Sequence, residues 1–207
     1  MCSLLRHRML MQQGGGSILP PEYQQVKYLR GGGDAYIVLP YRANNKTRVK
    51  IIARPVTDIN EYNGQLCGSI ANIYTAFTLF PAPRQNNRFS NHSFMWPDEY
   101  LIPNTIYSFD MSANGTYMNN VLKGTFGAVS AFVAGNDFTL YRANGSPDLG
   151  AIWDYFEFIL EEDGVELYNL VLCYRKADNK GGMYDIINNE FHTSAGTGEF
   201  IVGPDVN

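Results

Sequence analysis

The sequence predicts an all-β protein built from two antiparallel sheets packed face to face, and three observations carry that expectation. Tyr, Phe, Val, Ile and Thr recur in short runs broken by Gly, Asn, Asp and Pro at 8–12 residue spacing. No long helix is visible. Four dipeptides, Asn63-Gly64, Asn114-Gly115, Asn144-Gly145 and Asp163-Gly164, offer the positive φ values of tight hairpin turns. At 207 residues, 45% hydrophobic and 17% charged, the chain has the composition of one folded domain.

Taken in order, residues 1–17 read as an N-terminal arm. Its apolar residues are interrupted by Arg6, His7 and Arg8, with no small-residue cleavage site after them, so it does not read as a signal peptide. Gln12-Gln13-Gly14-Gly15-Gly16-Ser17 follows as a flexible linker. The body is expected over 18–207. Strands are expected at 23–29, 35–39, 48–54, 64–70, 76–80, 88–94, 106–111, 116–121, 138–142, 155–160, 165–174 and 200–202. Pro20-Pro21 stiffens the entry, and Gly31-Gly32-Gly33-Asp34 permits a reversal, so 23–29 and 35–39 are expected to form a first hairpin. Residues 48–54 and 155–160 alternate in part, as strands with one face in the core do. Gly181-Gly182 and the run Ala195-Gly196-Thr197-Gly198 read as loops around a short strand ending at Phe191.

Composition excludes several classes. The net charge is −4 and the pI about 5.3, with no basic cluster of the density a phosphate backbone requires. No stretch approaches 18 consecutive apolar residues. Cys2, Cys67 and Cys173 are too few and too scattered for a disulfide framework or a zinc site and read as free thiols.

Both ends of the body carry a recognisable pattern. It runs Leu19-Pro20-Pro21-Glu22-Tyr23, Val26, Tyr28-Leu29, Gly33, Ala35-Tyr36-Ile37 and Thr47-Arg48-Val49. It resumes as residues 169–175, Gly182-Met183-Tyr184-Asp185-Ile186, Glu190-Phe191-His192 and residues 195–200. This resembles the concanavalin A-like (laminin-G-like) jelly-roll domains of gut bacteria, their prophages and tailed phages, where such domains occur in tail fibres, baseplates and virion surfaces. The resemblance covers most of the body, is weakest over about 60–150, and implies that the first and last segments lie side by side. It also implies that function resides in the loops of the middle.

Few constellations suggest chemistry. Glu161-Glu162-Asp163-Gly164-Val165-Glu166 has the spacing of the retaining glucanases of this fold, but a turn at Asp163-Gly164 is expected to place Glu161 and Glu166 on opposite arms in solvent. The three histidines stand apart from any nucleophile, so no catalytic residue is assigned. Asp34, Asp110, Asp137, Asp148 and Asp154 form no calcium loop, and a calcium site would have to be assembled from separate loops. No cofactor is expected.

Saccharides stack on flat rings beside polar groups, which makes Tyr62, Tyr74, Trp96, Tyr100 and Trp153 the candidate carbohydrate-binding residues. In the arm, Leu4, Leu5, Met9 and Leu10 supply apolar contact, and Arg6 and Arg8 supply charge, for docking on an assembly. The leading expectation is a non-enzymatic virion structural protein (tail fibre, baseplate or capsid decoration) that displays a lectin-like jelly roll. Its partners would be other virion proteins, copies of itself and host-surface glycan. The alternative is a carbohydrate-binding module on a bacterial cell surface, and a third reading is a glycoside hydrolase.

Overall fold

The computed structural model describes residues 18–206 apart from 33, 60–63, 73 and 144–151. The expected docking residues Leu4, Leu5, Arg6, Arg8, Met9 and Leu10, and the candidate Tyr62, lie outside the described residues. Among those described there is no helix, and hence none long and apolar enough to cross a membrane.

Two antiparallel sheets form the expected jelly-roll sandwich. The larger runs in the order β11 (Val121–Gly124), β10 (Gly115–Met118), β9 (Tyr107–Ser112), β4 (Thr47–Pro55), β13 (Trp153–Glu162), β14 (Val165–Arg175), β15 (Lys180–Asp185) and β16 (Glu190–Thr193). Three short strands complete it: β1 (Tyr23–Gln25) beside β14, and β2 (Leu29–Gly31) between β13 and β17 (Ile201–Val202). The smaller sheet runs β3 (Ile37–Leu39), β12 (Phe138–Leu140), β5 (Cys67–Ile70), β6 (Ala76–Leu79), β7 (Asn86–Ser90) and β8 (His92–Met95).

Strict alternation along β4 explains how the sheets meet. Val49, Ile51 and Ala53 are buried between the layers, while Arg48, Lys50, Ile52 and Arg54 project from the outer face. Phe109 and Met111 of β9 and Tyr155, Phe158 and Leu160 of β13 extend the inner face, opposite Ile37, Phe77, Leu79, Phe89 and Phe138 of the small sheet. The ring series Phe89–Phe77–Phe138–Phe158, with centroids 5.1, 5.5 and 6.3 Å apart, crosses from one layer to the other. Tyr155 and Tyr141 stack at 4.1 Å, and their hydroxyls donate to the carbonyls of Leu66 and Leu29, so neither buried phenol lacks an acceptor.

A second, small apolar cluster lies on the outer face of the large sheet. Leu170 and Leu172 of β14 point into the sandwich, so Val171 and Cys173 point outward, where Leu19, Tyr23, Tyr184 and Phe191 cover them. Cys67 and Cys173 are buried free thiols in strands; burial pushes both up, Cys173 to about 12.

Several elements differ from the sequence expectation. The glycine run does reverse the chain, with Gly32 and Ala35 exchanging both backbone hydrogen bonds, but no hairpin of 23–29 with 35–39 forms. Its arms diverge into different sheets: β1 and β2 join the large sheet, and β3 joins the small one. The single strand expected at 88–94 is two, β7 and β8, turning at Ser90-Asn91 with Ser90 at φ 62°. Likewise 116–121 contains the turn Asn119-Asn120, both residues at positive φ, between β10 and β11. Gly181-Gly182, expected to be a loop, lies inside a full strand, β15. The ends of the body do lie together, since β17 pairs with β2 and Val26 bridges Asp205.

Candidate functional site

The hairpin turns at one end of the large sheet build a cleft of about 550 Å³. Asp163 and Gly164, at φ 53° and 80°, close β13 on β14, and Ala113-Asn114 closes β9 on β10. Asn45 and Lys46 enter β4 between them. The floor is the outer face of β4, β9 and β13, where register sets Arg48 opposite Glu161 and Lys50 opposite Asp110.

These charges form a connected network. Arg48 donates from Nε and Nη2 to the two oxygens of Asp110 at 2.8 and 2.5 Å, a bidentate fork that raises the guanidinium pKa, and its Nη1 lies 3.7 Å from Glu161. Lys50 donates to the other oxygen of Glu161. Lys46 reaches Asp163 at 2.9 Å across the rim, an exposed pair of little energetic weight. Three cations therefore pair with three carboxylates; Arg48, Lys46 and all three carboxylates line the cleft, while Lys50 reaches Glu161 from outside the lining. Around them stand uncharged groups: the Tyr117 phenol, the amides of Asn45, Asn114 and Asn120, and the Ser112 hydroxyl.

A second, shallower cleft of about 520 Å³ adjoins the first, with Asn45 and Lys46 as a wall common to both. Ala131, Phe132 and Val133 give it an apolar side, and Asn44 and Glu162 a polar one. The pieces are pinned by backbone pairing of Asn44 with Val133 and by the Ala134 amide donating to Ala43 at 2.7 Å. Tyr41 and Asn44 both donate to Oε2 of Glu162, at 2.8 and 2.6 Å.

The aromatic candidates fare differently. Trp96 and Trp153 are 1% and 0% exposed and flank Phe109 in the core at 6.5 and 6.3 Å, so neither presents a face to a saccharide, which corrects the sequence expectation. The charged residues close to them in sequence do not share their environment: Asp98 sits on an exposed loop, and alternation sends Asp154 to the other side of its strand. Tyr74 and Tyr100 are 67% and 66% exposed, on separate loops, and line neither cleft.

Glu161 and Glu166 do lie on opposite arms of the Asp163-Gly164 hairpin, in direct register. Glu161, however, is buried against Lys50 and Arg48 rather than exposed in solvent, while Glu166 accepts from the Asn169 amide. Among the described residues no group of three or more His, Cys, Asp or Glu side chains is placed to hold a metal ion. The residues that line the clefts, Arg48, Asp110 and Tyr117 above all, were not singled out by sequence. The signal for the first was present in Arg48 and Lys50, cations at alternate positions of an otherwise apolar strand.

No family model matches the chain, and no curated protein matches it. Among solved structures, the chain is similar to a candidate carbohydrate-binding protein from Bacteroides ovatus, with 10% identity and a TM-score of 0.49 over 88% of this chain and 62% of that one. The chain thus spans less than two thirds of that structure. At that score the likeness assigns no residue of this chain a role.

Proposed function

We propose that the protein is a non-enzymatic binding module that takes an uncharged saccharide in the polar cleft beside Arg48 and Tyr117. The observation that carries this reading is the charge balance. Each charged group lining the cleft already has an ionic partner, Lys50 reaching Glu161 from outside the lining, so an ionic ligand would have to break an existing pair, whereas hydroxyl groups can bridge amides, phenol and carboxylate edges without net charge transfer. The fork from Arg48 holds Asp110 in place before any ligand arrives, which lowers the ordering cost of binding.

Full-length protein on a glycan array, followed by calorimetry, tests the reading. Neutral glycans should bind, Tyr117→Ala with Asn120→Ala should weaken binding about tenfold or more, and raising salt from 50 to 500 mM should change it little. Binding confined to acidic glycans and lost in salt would overturn it.

A narrower reading is that the module is displayed on a phage particle, with host-surface glycan as ligand. One geometric fact favours display. Tyr23, the start of the first strand, pairs with Arg175 at the far end of β14, whereas Val165 at its near end adjoins the cleft. The 11-residue strand separates the two by about 33 Å. A domain tethered through residues 1–17 would point its cleft away from the tether, and many weak copies would add their affinities. Deleting residues 1–17 should abolish incorporation into particles while leaving the melting temperature unchanged; normal incorporation of the truncated chain would count against the tether. On a bacterial cell surface the same geometry would serve equally, and the particle or envelope with which the protein co-purifies separates the two.

A further inference from the structure

The second cleft names a substituent. We propose that the saccharide carries an acetamido group and that the cleft of Val133, Ala131, Asn45 and Glu162 receives it; the inference rests on the neutral-saccharide reading of the first cleft. The two clefts share Asn45 and Lys46, so a sugar seated beside Arg48 and Tyr117 meets the second cleft with whatever projects over that wall.

Three features of the second cleft select among substituents. Its apolar side is accessible: Val133 is 61% exposed and Ala131 is beside it, while Phe132 is half-buried against the core ring Phe89 at 5.6 Å. Its one carboxylate, Glu162, is bound by neutral donors, Tyr41 and Asn44, both on Oε2, which among the described residues leaves Oε1 as an acceptor and the negative charge without a cation in hydrogen-bond contact. Lys46 is turned to Asp163 instead. Finally, hydrogen bonds in the adjoining loop engage Asn44 and the Lys46 backbone but leave the Asn45 side-chain amide uncommitted among the described residues.

An acetamido group matches all three. Its methyl lies on Val133 and Ala131, its N–H donates to Glu162 Oε1, and its carbonyl accepts from the Asn45 amide. A carboxylate or sulfate in the same place meets Glu162 as a like charge. A bare hydroxyl leaves Val133 in water, and a free ammonium satisfies Glu162 but sets a strongly hydrated charge against the apolar side.

The test uses three tetrasaccharides with one β-1,4 backbone that differ only at C2: N-acetylglucosamine, glucosamine and glucose. Calorimetry with the full-length chain should rank the acetylated series on the order of tenfold above glucose, the combined effect of one buried methyl and one added hydrogen bond. Val133→Asn should cut that preference severalfold while leaving the glucose series unchanged; Asn45→Ala, at the wall common to both clefts, should weaken the acetylated series severalfold more than the glucose series, and neither is a core residue. Equal binding of acetylated and glucose series overturns the inference, as does tightest binding of the glucosamine series. Failure of all three while other neutral glycans bind on the array overturns the acetamido assignment and leaves the first cleft's reading intact. Failure of the entire array removes that reading and this inference together.

Discussion

The outer face of the large sheet carries an arginine–carboxylate network near each end of β4, alike in chemistry and opposite in cover. At one end Arg30 and Arg54 clamp Asp154: Arg30 donates from Nε and Nη2 at 2.7 and 3.1 Å, and Arg54 from Nε at 2.7 Å. The Asp154 side chain is 0% exposed, and the rings of Tyr28 and Phe156 lie 5.1 and 5.4 Å from the Arg54 guanidinium. At the other end Arg48 grips Asp110 with 43% and 32% of those side chains in solvent, and among the described residues no ring lies over it. The first network has aromatic cover and no open edge on its carboxylate, so its role is to hold β2, β4 and β13 together. The second is left uncovered on a cleft, where the same fork forms part of the surface proposed above to take a saccharide. Cover, rather than residue type, separates structure from site.

The sharpest way to break that contrast is Asp154→Ala. It leaves two half-buried guanidiniums facing each other, and urea unfolding should register a loss of about 3–5 kcal/mol, as for a buried ion pair stripped of one partner. Trp153→Ala, at the same end of β13, should cost about 3–5 kcal/mol by opening a core cavity, and any change in glycan binding should follow unfolding alone. Asp110→Asn should show the opposite profile. The pair is partly solvated, so stability should fall by about 1 kcal/mol or less, while saccharide binding falls severalfold in calorimetry on the folded variant. A loss of stability as large as that of Asp154→Ala would show the two networks to be equivalent.

The smallest expected effect concerns pH. His192 on β16 is buried, and desolvation holds its pKa below the ordinary imidazole value of 6.5, against the opposing pull of Glu190 and Asp185. The unfolded chain therefore binds a proton more readily than the folded one. Stability is full above about pH 6.5 and declines as the pH falls from there toward the lower folded value. His192→Gln should flatten that part of the curve in chemical denaturation at pH 7.5 and 5, and leave binding in the first cleft, which it does not line, untouched.

Much of the fold was legible because it is local. The β4 strand follows from alternation and β-branched content, β13 from partial alternation and aromatic content, and the Asp163-Gly164 turn from its two residues. What was not legible depends on pairing across long distances in sequence. Arg48 and Asp110 are 62 residues apart, and nothing local says that β9 lies beside β4. Trp153 precedes a charged residue, yet alternation puts the two on opposite faces, and Arg30 and Arg54 bury the aspartate as well. Asn119-Asn120 and Ser90-Asn91 turn without glycine, so the chain reversals they make look like uninterrupted strand. In the first reversal, Gly31-Gly32-Gly33-Asp34 was recognisable as a turn, but which sheet receives each arm is decided by distant strands, Leu29 lying beside Tyr155 and Ile37 beside Leu140.

The placement of the first strand and the cleft at opposite poles of β14 has a mechanical consequence. If the chain is held at Tyr23 and a bound ligand is dragged by flow, tension runs lengthwise along β14. Its hydrogen bonds to β1, β13 and β15 are then loaded together in shear rather than opened one after another. A domain pulled in that direction resists forced unfolding far better than one peeled from an edge strand, so the grip would be limited by release of the sugar, with the protein still folded when it lets go.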